Sequence, residues 1–267
     1  MTSIEFIKYH GTGNDFILID NRPGHIKLSR EDIAWLCHRR LGIGADGLML
    51  LLPSSDHDFE MKYYNADGKE GSMCGNGGRC ITAFASDQGL AKEVVRFRAI
   101  DGVHEAKIIR SDSAVKQVEV RLNDVTAIRE LDGSTFLLDT GSPHYVQFMP
   151  ELDKVDALQD GKRIRWDERF KPEGVNVNFV ERSPGGLRVI TYERGVEDIT
   201  LSCGTGVTAS AIAASSGEND GPHAWTIRTM GGDLEVSFVK NNETFTNIWL
   251  KGPAEKVFAG TVTLNEK

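Results

Sequence analysis

The chain has 267 residues, 40% of them hydrophobic and 26% charged, with 28 glycines and 8 prolines. That composition excludes collagen-like and low-complexity chains, and the length is enough to bury a core without disulfides or metals. Acidic residues (39) outnumber basic ones (31), for a net charge of −8, so the basic footprint of a nucleic-acid or anionic-membrane binder is missing.

From the N-terminus, MTSIEFIKYHGTGNDFILID is interrupted by Lys8, His10, Asn14 and Asp15 and lacks the apolar core of a signal peptide. No run approaches the ~18 apolar residues of a membrane helix. A cytoplasmic location is expected, with Cys37, Cys74, Cys80 and Cys203 reduced. No C-x-x-C pair occurs, so no zinc site or other metal centre is expected. Ser29 with Asp32 forms a capping-box pattern, followed at helical spacing by Ile33, Leu36, Cys37, Arg40 and Leu41 until Gly42. Period-two alternation predicts strands around 59–63, 118–122, 187–192 and 234–238, mainly antiparallel. Leu152, Val155 and Leu158 mark a short helix ending near Gly161, and a last strand is expected at 257–264.

Two further helices carry more information. Each opens on a C-G-x-G motif, Cys74 to Gly77 and Cys203 to Gly206, and they close at Gly89 and Gly217. The second is small or apolar almost all round, the mark of a helix buried on every side. Upstream, HGTGNDFILI and DTGSPHYVQF each place turn residues before an apolar strand, and the interval from Gly11 to Cys74 nearly equals that from Gly141 to Cys203. This reads as a duplicated domain. The expected fold is α+β: two pseudo-symmetric domains, each a mainly antiparallel sheet wrapped around a central α-helix, with the active site in the cleft between them. The first domain would span 1–120 and regain the C-terminal strand 253–267, and the second would span 121–252.

A cysteine at a helix start sits where partial positive charge and unpaired N–H groups favour a thiolate. The same N–H groups can hold a carboxylate and stabilise the charge that develops when its α-carbon loses a proton. Two such cysteines facing one α-carbon form a two-base pair that inverts its configuration; the other reading of facing thiols is a redox disulfide. Cys37 and Cys80, on apolar helix faces, are read as packing residues.

The motifs HGTGNDF (His10 to Phe16), GIGADG (Gly42 to Gly47), NADGKEGSMCGNGGRC (Asn65 to Cys80) and YERGVEDITLSCGTG (Tyr192 to Gly206), with SPH and VNVNF between them, closely resemble the diaminopimelate epimerase family across nearly the whole chain. The resemblance implies a cofactor-independent isomerase that interconverts LL- and meso-diaminopimelate, for lysine and peptidoglycan precursors, and that acts as a homodimer on a small amino acid. It implies Cys74 and Cys203 as the acid/base pair, with His144 and Glu193 as auxiliary residues beside them. Gly75, Asn76, Gly204 and Thr205 would hold the reacting carboxylate. Asn14, Asn65, Asn176, Glu193 and Arg194 would bind the rest of the substrate, Asn178 being the alternative to Asn176 on the same strand face. Proline racemases and hydroxyproline epimerases share this type of fold and cysteine pair but take a compact cyclic substrate; Arg194 with Asn65 and Asn176 favours the longer, two-headed one. Four positions depart from the common pattern. Ser142 replaces an Asn, implying a contact through water, and Gly47 stands where some members carry Gln. Ile199 replaces a Glu, leaving less negative charge near Cys203, and Phe258 lies where some members use a Tyr in the dimer contact.

Overall fold

The computed structural model describes residues 2–71, 73–90, 92–112 and 114–264. The chain is mainly β, with four α-helices among these residues, and divides into two compact units, Met1–Val120 with Gly252–Lys267, and Arg121–Lys251.

In the first unit, β1 (Thr2–Gly11) and β2 (Asn14–Asp20) form a hairpin. Its two connecting residues, Thr12 (φ 50°) and Gly13 (φ 88°), are both left-handed, which matches the twist of the flanking strands. Helix α1 (Arg30–Cys37) crosses over to β3 (Gly47–Leu52), parallel to β2. Strand β4 (Phe59–Asn65) returns antiparallel, and α2 (Gly75–Asp87) crosses to β5 (Val94–Ala99), parallel to β4. Parallel neighbours need such connections, because a tight turn cannot join them. Strands β6 (Gly102–Ser111) and β7 (Val115–Arg121) follow as a meander. The last stretch of chain, from Gly252, pairs with both β7 and β1, so this sheet closes on itself and leaves no free edge.

Alternation explains which helix each side of this sheet receives. Phe16, Leu18, Met49 and Leu51 share a core with α2, whereas Ile17, Ile19, Leu48 and Leu50 pack with α1. Strands β2 and β3 are therefore covered on both faces and read as continuous apolar runs. All of Gly75–Ala85 is buried. The Ser29–Asp32 capping box is present, but α1 stops at Cys37 rather than Leu41. The chain folds back there: Ile43 and Gly44 donate to the Leu36 carbonyl, and His38 Nδ1 accepts from the N–H groups of Arg40 and Leu41. Leu41 is left exposed.

The second unit holds β8 (Ile128–Glu130), β9 (Thr135–Asp139) and β10 (Pro143–Phe148). Helix α3 (Ala157–Arg165) crosses to β11 (Asn176–Ser183), parallel to β10. Strand β12 (Gly186–Glu193) returns antiparallel and also pairs with the short β13 (Asp198–Thr200). Helix α4 (Gly204–Ala214) crosses to β14 (Gly221–Thr229), parallel to β12, and β15 (Gly232–Asn241) and β16 (Thr244–Leu264) follow. The succession hairpin, helix, parallel strand, antiparallel strand, buried helix, parallel strand, meander thus occurs in both units. Helix α4 is buried among Val146, Val180, Val189, Val236 and Phe245.

Two expectations need correction here. The helix expected from Leu152 to near Gly161 is a short 3-10 turn at Leu152–Lys154 followed by α3, which continues through Gly161. Asp156 caps α3 by accepting from the Gln159 N–H, and Gly161 is needed because a Cβ there would lie 2.5 Å from Tyr192 Cβ. The closing strand begins at Thr244, well before 257, and passes from pairing with β15 up to Lys251 to pairing with β7 from Gly252. No helix among the described residues is long and apolar enough to cross a membrane.

Candidate active site

Cys74 is the N-cap of α2, with extended backbone (φ −106°, ψ 154°), and its Sγ accepts the Gly77 N–H at 3.2 Å. The β1–β2 turn lies on this first helical turn: a Cβ at Gly11 would stand 3.1 Å from both the Asn76 carbonyl oxygen and the Arg79 guanidinium. That brings Asn14 to the cysteine. Asn14 Oδ1 lies 3.9 Å from Cys74 Sγ and accepts from Asn76 Nδ2 at 3.4 Å, while Asn14 Nδ2 donates to Asp46 at 2.7 Å. Asp46 and Asp15 are in turn held by Arg39, and Asp15 also pairs with the buried Lys8. Burial pushes the Asp15 carboxyl up, but the hydrogen bonds from Arg39 and Lys8 outweigh it and hold the group down at about 2. Cys74, Gly75, Asn76 and Asn14 are thus one cluster.

Asn65 stands apart from it, exposed at the end of β4 with its Oδ1 accepting from Tyr63 Oη at 3.0 Å. Tyr63 also accounts for Gly47, since a Cβ at that position would lie 2.5 Å from its ring.

In the second unit Cys203 is the N-cap of α4, again extended (φ −117°, ψ 113°), with Sγ 3.4 Å from Thr205 Oγ1. The Thr205 carbonyl accepts from Thr140 in the β9–β10 turn. The parallel register of β10 and β11 sets His144 beside Asn176. Asn176 Nδ2 donates to Ser142 Oγ (2.8 Å) and to the Pro143 carbonyl, and its Oδ1 accepts the Arg194 N–H (2.9 Å). Ser142 Oγ also accepts from the Arg194 guanidinium at 3.3 Å. Asn176, Arg194 and Ser142 therefore form a second cluster. Glu193, half-buried, ends β12 opposite Asp198.

Asn178 has a different task from Asn176. Its Nδ2 donates to the Tyr145 carbonyl (3.1 Å) and approaches His144 Nδ1 (3.0 Å), and its Oδ1 accepts from Thr191 (2.9 Å), its partner across β11 and β12. The carbonyl of Tyr145 can only accept, which fixes the amide orientation and makes His144 Nδ1 an acceptor. His144 accordingly carries its proton on Nε2, an N–H with no partner among the described residues. Burial, reinforced by the charge of Arg194, pushes its pKa down to about 3. His144 is a neutral donor at physiological pH.

Sequence reasoning passed over Arg79, Asp46, Tyr63 and Thr191. Arg79 did leave a signal: it is the lone charge in the otherwise apolar or small segment GNGGRCITAFA. The other two cysteines are buried, and burial pushes their thiols up, Cys37 to about 12 and Cys80 beyond that. Ile199 lies opposite Tyr192 and packs with the α3 side of the sheet, and Phe258 stands half-exposed, edge-on to Phe6. No group of three or more His, Cys, Asp or Glu among the described residues is arranged to hold a metal ion.

The fold is shared with solved structures of a phenazine biosynthesis protein and of a hydroxyproline epimerase. It matches a PhzF-family phenazine biosynthesis protein of Bacillus anthracis (TM-score 0.79, 14% identity, 99% of this chain and 100% of that one). It also matches a hydroxyproline epimerase of Agrobacterium vitis with bound trans-4-hydroxy-L-proline (TM-score 0.71, 18% identity, 99% and 93%). A family model described as diaminopimelate epimerase matches residues 6–127 and again 136–257. The diaminopimelate epimerase of Flavobacterium psychrophilum is 48% identical over 97% of this chain and 100% of its own length, and that of Chlorobaculum tepidum is 42% identical over 95% and 99%. The chain belongs to the diaminopimelate epimerase family and is an isomerase.

Proposed function

We propose that the protein interconverts LL- and meso-2,6-diaminopimelate without a cofactor, using Cys74 and Cys203 as a two-base pair in a cleft between two pseudo-symmetric domains, 1–120 with 253–267 and 121–252. The observation that carries the reading is that both cysteines are N-cap residues of buried helices at equivalent points of a recurring element order. The double match of one family model supports the duplication.

One thiolate removes the α-proton, breaking Cα–H and forming S–H. The electron pair left on Cα is delocalised into the neighbouring carboxylate, which the first-turn N–H groups at Gly75, Asn76, Gly204 and Thr205 stabilise. The opposite thiol then gives its proton to the other face of Cα and is left as the thiolate, so the reverse reaction starts from the other sulfur. Asn14 contacts the reacting end. Asn65, Asn176, Glu193 and Arg194 take the distal amino-acid head, for which Arg194 supplies a carboxylate fork, and Ser142 aligns Asn176 with Arg194. Glu193 and neutral His144 flank the cysteines and bias their protonation. The enzyme works in the cytoplasm as a homodimer, with Phe258 in the contact.

The test is α-proton exchange in deuterium oxide by the reduced protein. Exchange of diaminopimelate by the native protein, with epimerisation lost in both Cys74→Ala and Cys203→Ala while each remains folded, is the expected result. Turnover in either variant overturns the two-thiol mechanism. Exchange of proline or hydroxyproline instead overturns the substrate.

A further inference from the structure

We propose that Arg79 is a positioning residue for Cys74: it locks the amides of Asn76 and Asn14 in one orientation and supplies the buried positive charge that favours the Cys74 thiolate. Its place in catalysis rests on the two-cysteine reading; its observable is a property of Cys74 alone.

Arg79 is wholly buried and, among the described residues, has no carboxylate within ion-pair distance. Its guanidinium is met only by neutral acceptors: the Pro253 and Gly75 carbonyls, Thr12 Oγ1 and Asn76 Oδ1, at 3.3, 3.3, 3.3 and 2.9 Å. A buried cation without a counter-charge is costly. Packing alone would be served by a residue of similar volume with no charge, so the charge itself has a use. The nearby acids are otherwise engaged, Asp15 by Lys8 and Arg39, Asp46 by Arg39, and Glu255 by His10. Cys80, next along the helix, is held as a neutral thiol by burial. Burial lowers Arg79 itself only to about 10, so it stays protonated at neutral pH.

The hydrogen bonds run in one direction from this cation. Arg79 can only donate, so the atom of Asn76 that it meets is Oδ1; Asn76 Nδ2 then faces Asn14 Oδ1, and Asn14 Nδ2 faces the carboxylate of Asp46. Both amides are thereby fixed, with Asn14 Oδ1 towards Cys74 Sγ. Thr12, β-branched yet left-handed at φ 50° and buried, is held by the same guanidinium, a conformation that persists only where its surroundings enforce it. The corresponding place in α4 is Thr208, whose hydroxyl turns back to the Gly204 carbonyl. The device therefore belongs to α2 and not to the C-G-x-G motif as such.

Arg79 and Cys80 on α2 interact electrostatically with Cys74. Asp15 on β2 and Glu255 on β16 act on the neighbouring Cys80, and Asp46, ahead of β3, holds Asn14. These three carboxylates have partners of their own in Lys8, Arg39 and His10, so of the cations named here Arg79 is the one not paired with a carboxylate.

The experiment measures iodoacetamide alkylation of each cysteine against pH, by peptide mass spectrometry, in wild type, Arg79→Lys and Arg79→Gln; Arg79→Met is the second neutral variant if glutamine does not fold. Arg79→Lys keeps the charge and the Cys74 midpoint. The neutral variant raises that midpoint by about one pH unit or more, moves the acid limb of kcat/KM with it, and leaves Cys203 where it was. An unchanged Cys74 midpoint in a folded neutral variant, or equal shifts in the lysine and neutral variants, overturns the proposal. Turnover by Cys74→Ala would instead overturn the two-cysteine mechanism and leave the alkylation result standing.

Discussion

Gly77 and Gly206 fill the same place in the two C-G-x-G motifs, yet alanine at the two positions should have unequal consequences. A Cβ on Gly206 would lie 2.4 Å from Asn178 Oδ1, 3.1 Å from Thr191 Oγ1 and 3.3 Å from Cys203 Cβ. Asn178 cannot swing aside, because it is fully buried and bonded to His144, Tyr145 and Thr191. Overpacking of this kind costs about 1–3 kcal/mol, and each buried hydrogen bond that breaks adds about 1–3. The better helix propensity of alanine returns only about 1 kcal/mol. Gly206→Ala should therefore lose about 1–5 kcal/mol with one hydrogen bond broken, taking these contributions together. A Cβ on Gly77 would meet Cys74 Sγ and Met49 Cε, each at 3.3 Å. A methionine end yields readily, so Gly77→Ala should stay within about 1 kcal/mol of the native protein. Urea unfolding of both variants, followed by near-ultraviolet circular dichroism, reads the difference. Native stability in Gly206→Ala, or equal losses in the two variants, would refute the assignment of Asn178 as a rigid buttress.

Arg194→Ala should lower kcat/KM for diaminopimelate by the equivalent of about 2–5 kcal/mol, the usual loss when one partner of a buried charged pair is truncated; an unchanged value would remove Arg194 from the binding site. The protein should lose stability as pH falls from about 6.5 towards 3. His144 is held neutral in the fold, where its pKa is about 3, so over this window the unfolded chain binds the extra proton. Above the unfolded value the effect vanishes. Urea midpoints between pH 7 and 4 should slope less in His144→Gln, and an identical slope would show that His144 does not titrate this way. Mild oxidation should inactivate the enzyme reversibly through a Cys74–Cys203 disulfide, which bound substrate should prevent. Peptide mapping that finds Cys37 or Cys80 in the bridge instead would count against facing thiols.

What the sequence determined by itself was local or repetitive. Strand alternation follows from the two-residue side-chain period of an extended chain. The Ser29–Asp32 box is satisfied within one helical turn, and the two C-G-x-G motifs mark helix starts wherever those helices pack. The tertiary structure decided the rest, because there the partners are far apart in the chain. Glycine at 42 and 161 resembles a helix stop, but Gly161 makes room for Tyr192 and Gly42 for the returning chain against the Trp35 and Leu36 carbonyls. Asn176 and Asn178 share a strand face and look interchangeable; register alone sends one to Ser142 and Arg194 and the other to His144 and Thr191. Arg79 stands out in the sequence as a lone charge in an apolar or small segment, but only folding brings Thr12 and Pro253 against it. Backbone periodicity is encoded in neighbouring residues, whereas amide orientation, protonation state and the fate of a buried charge depend on desolvation and on partners that only folding supplies.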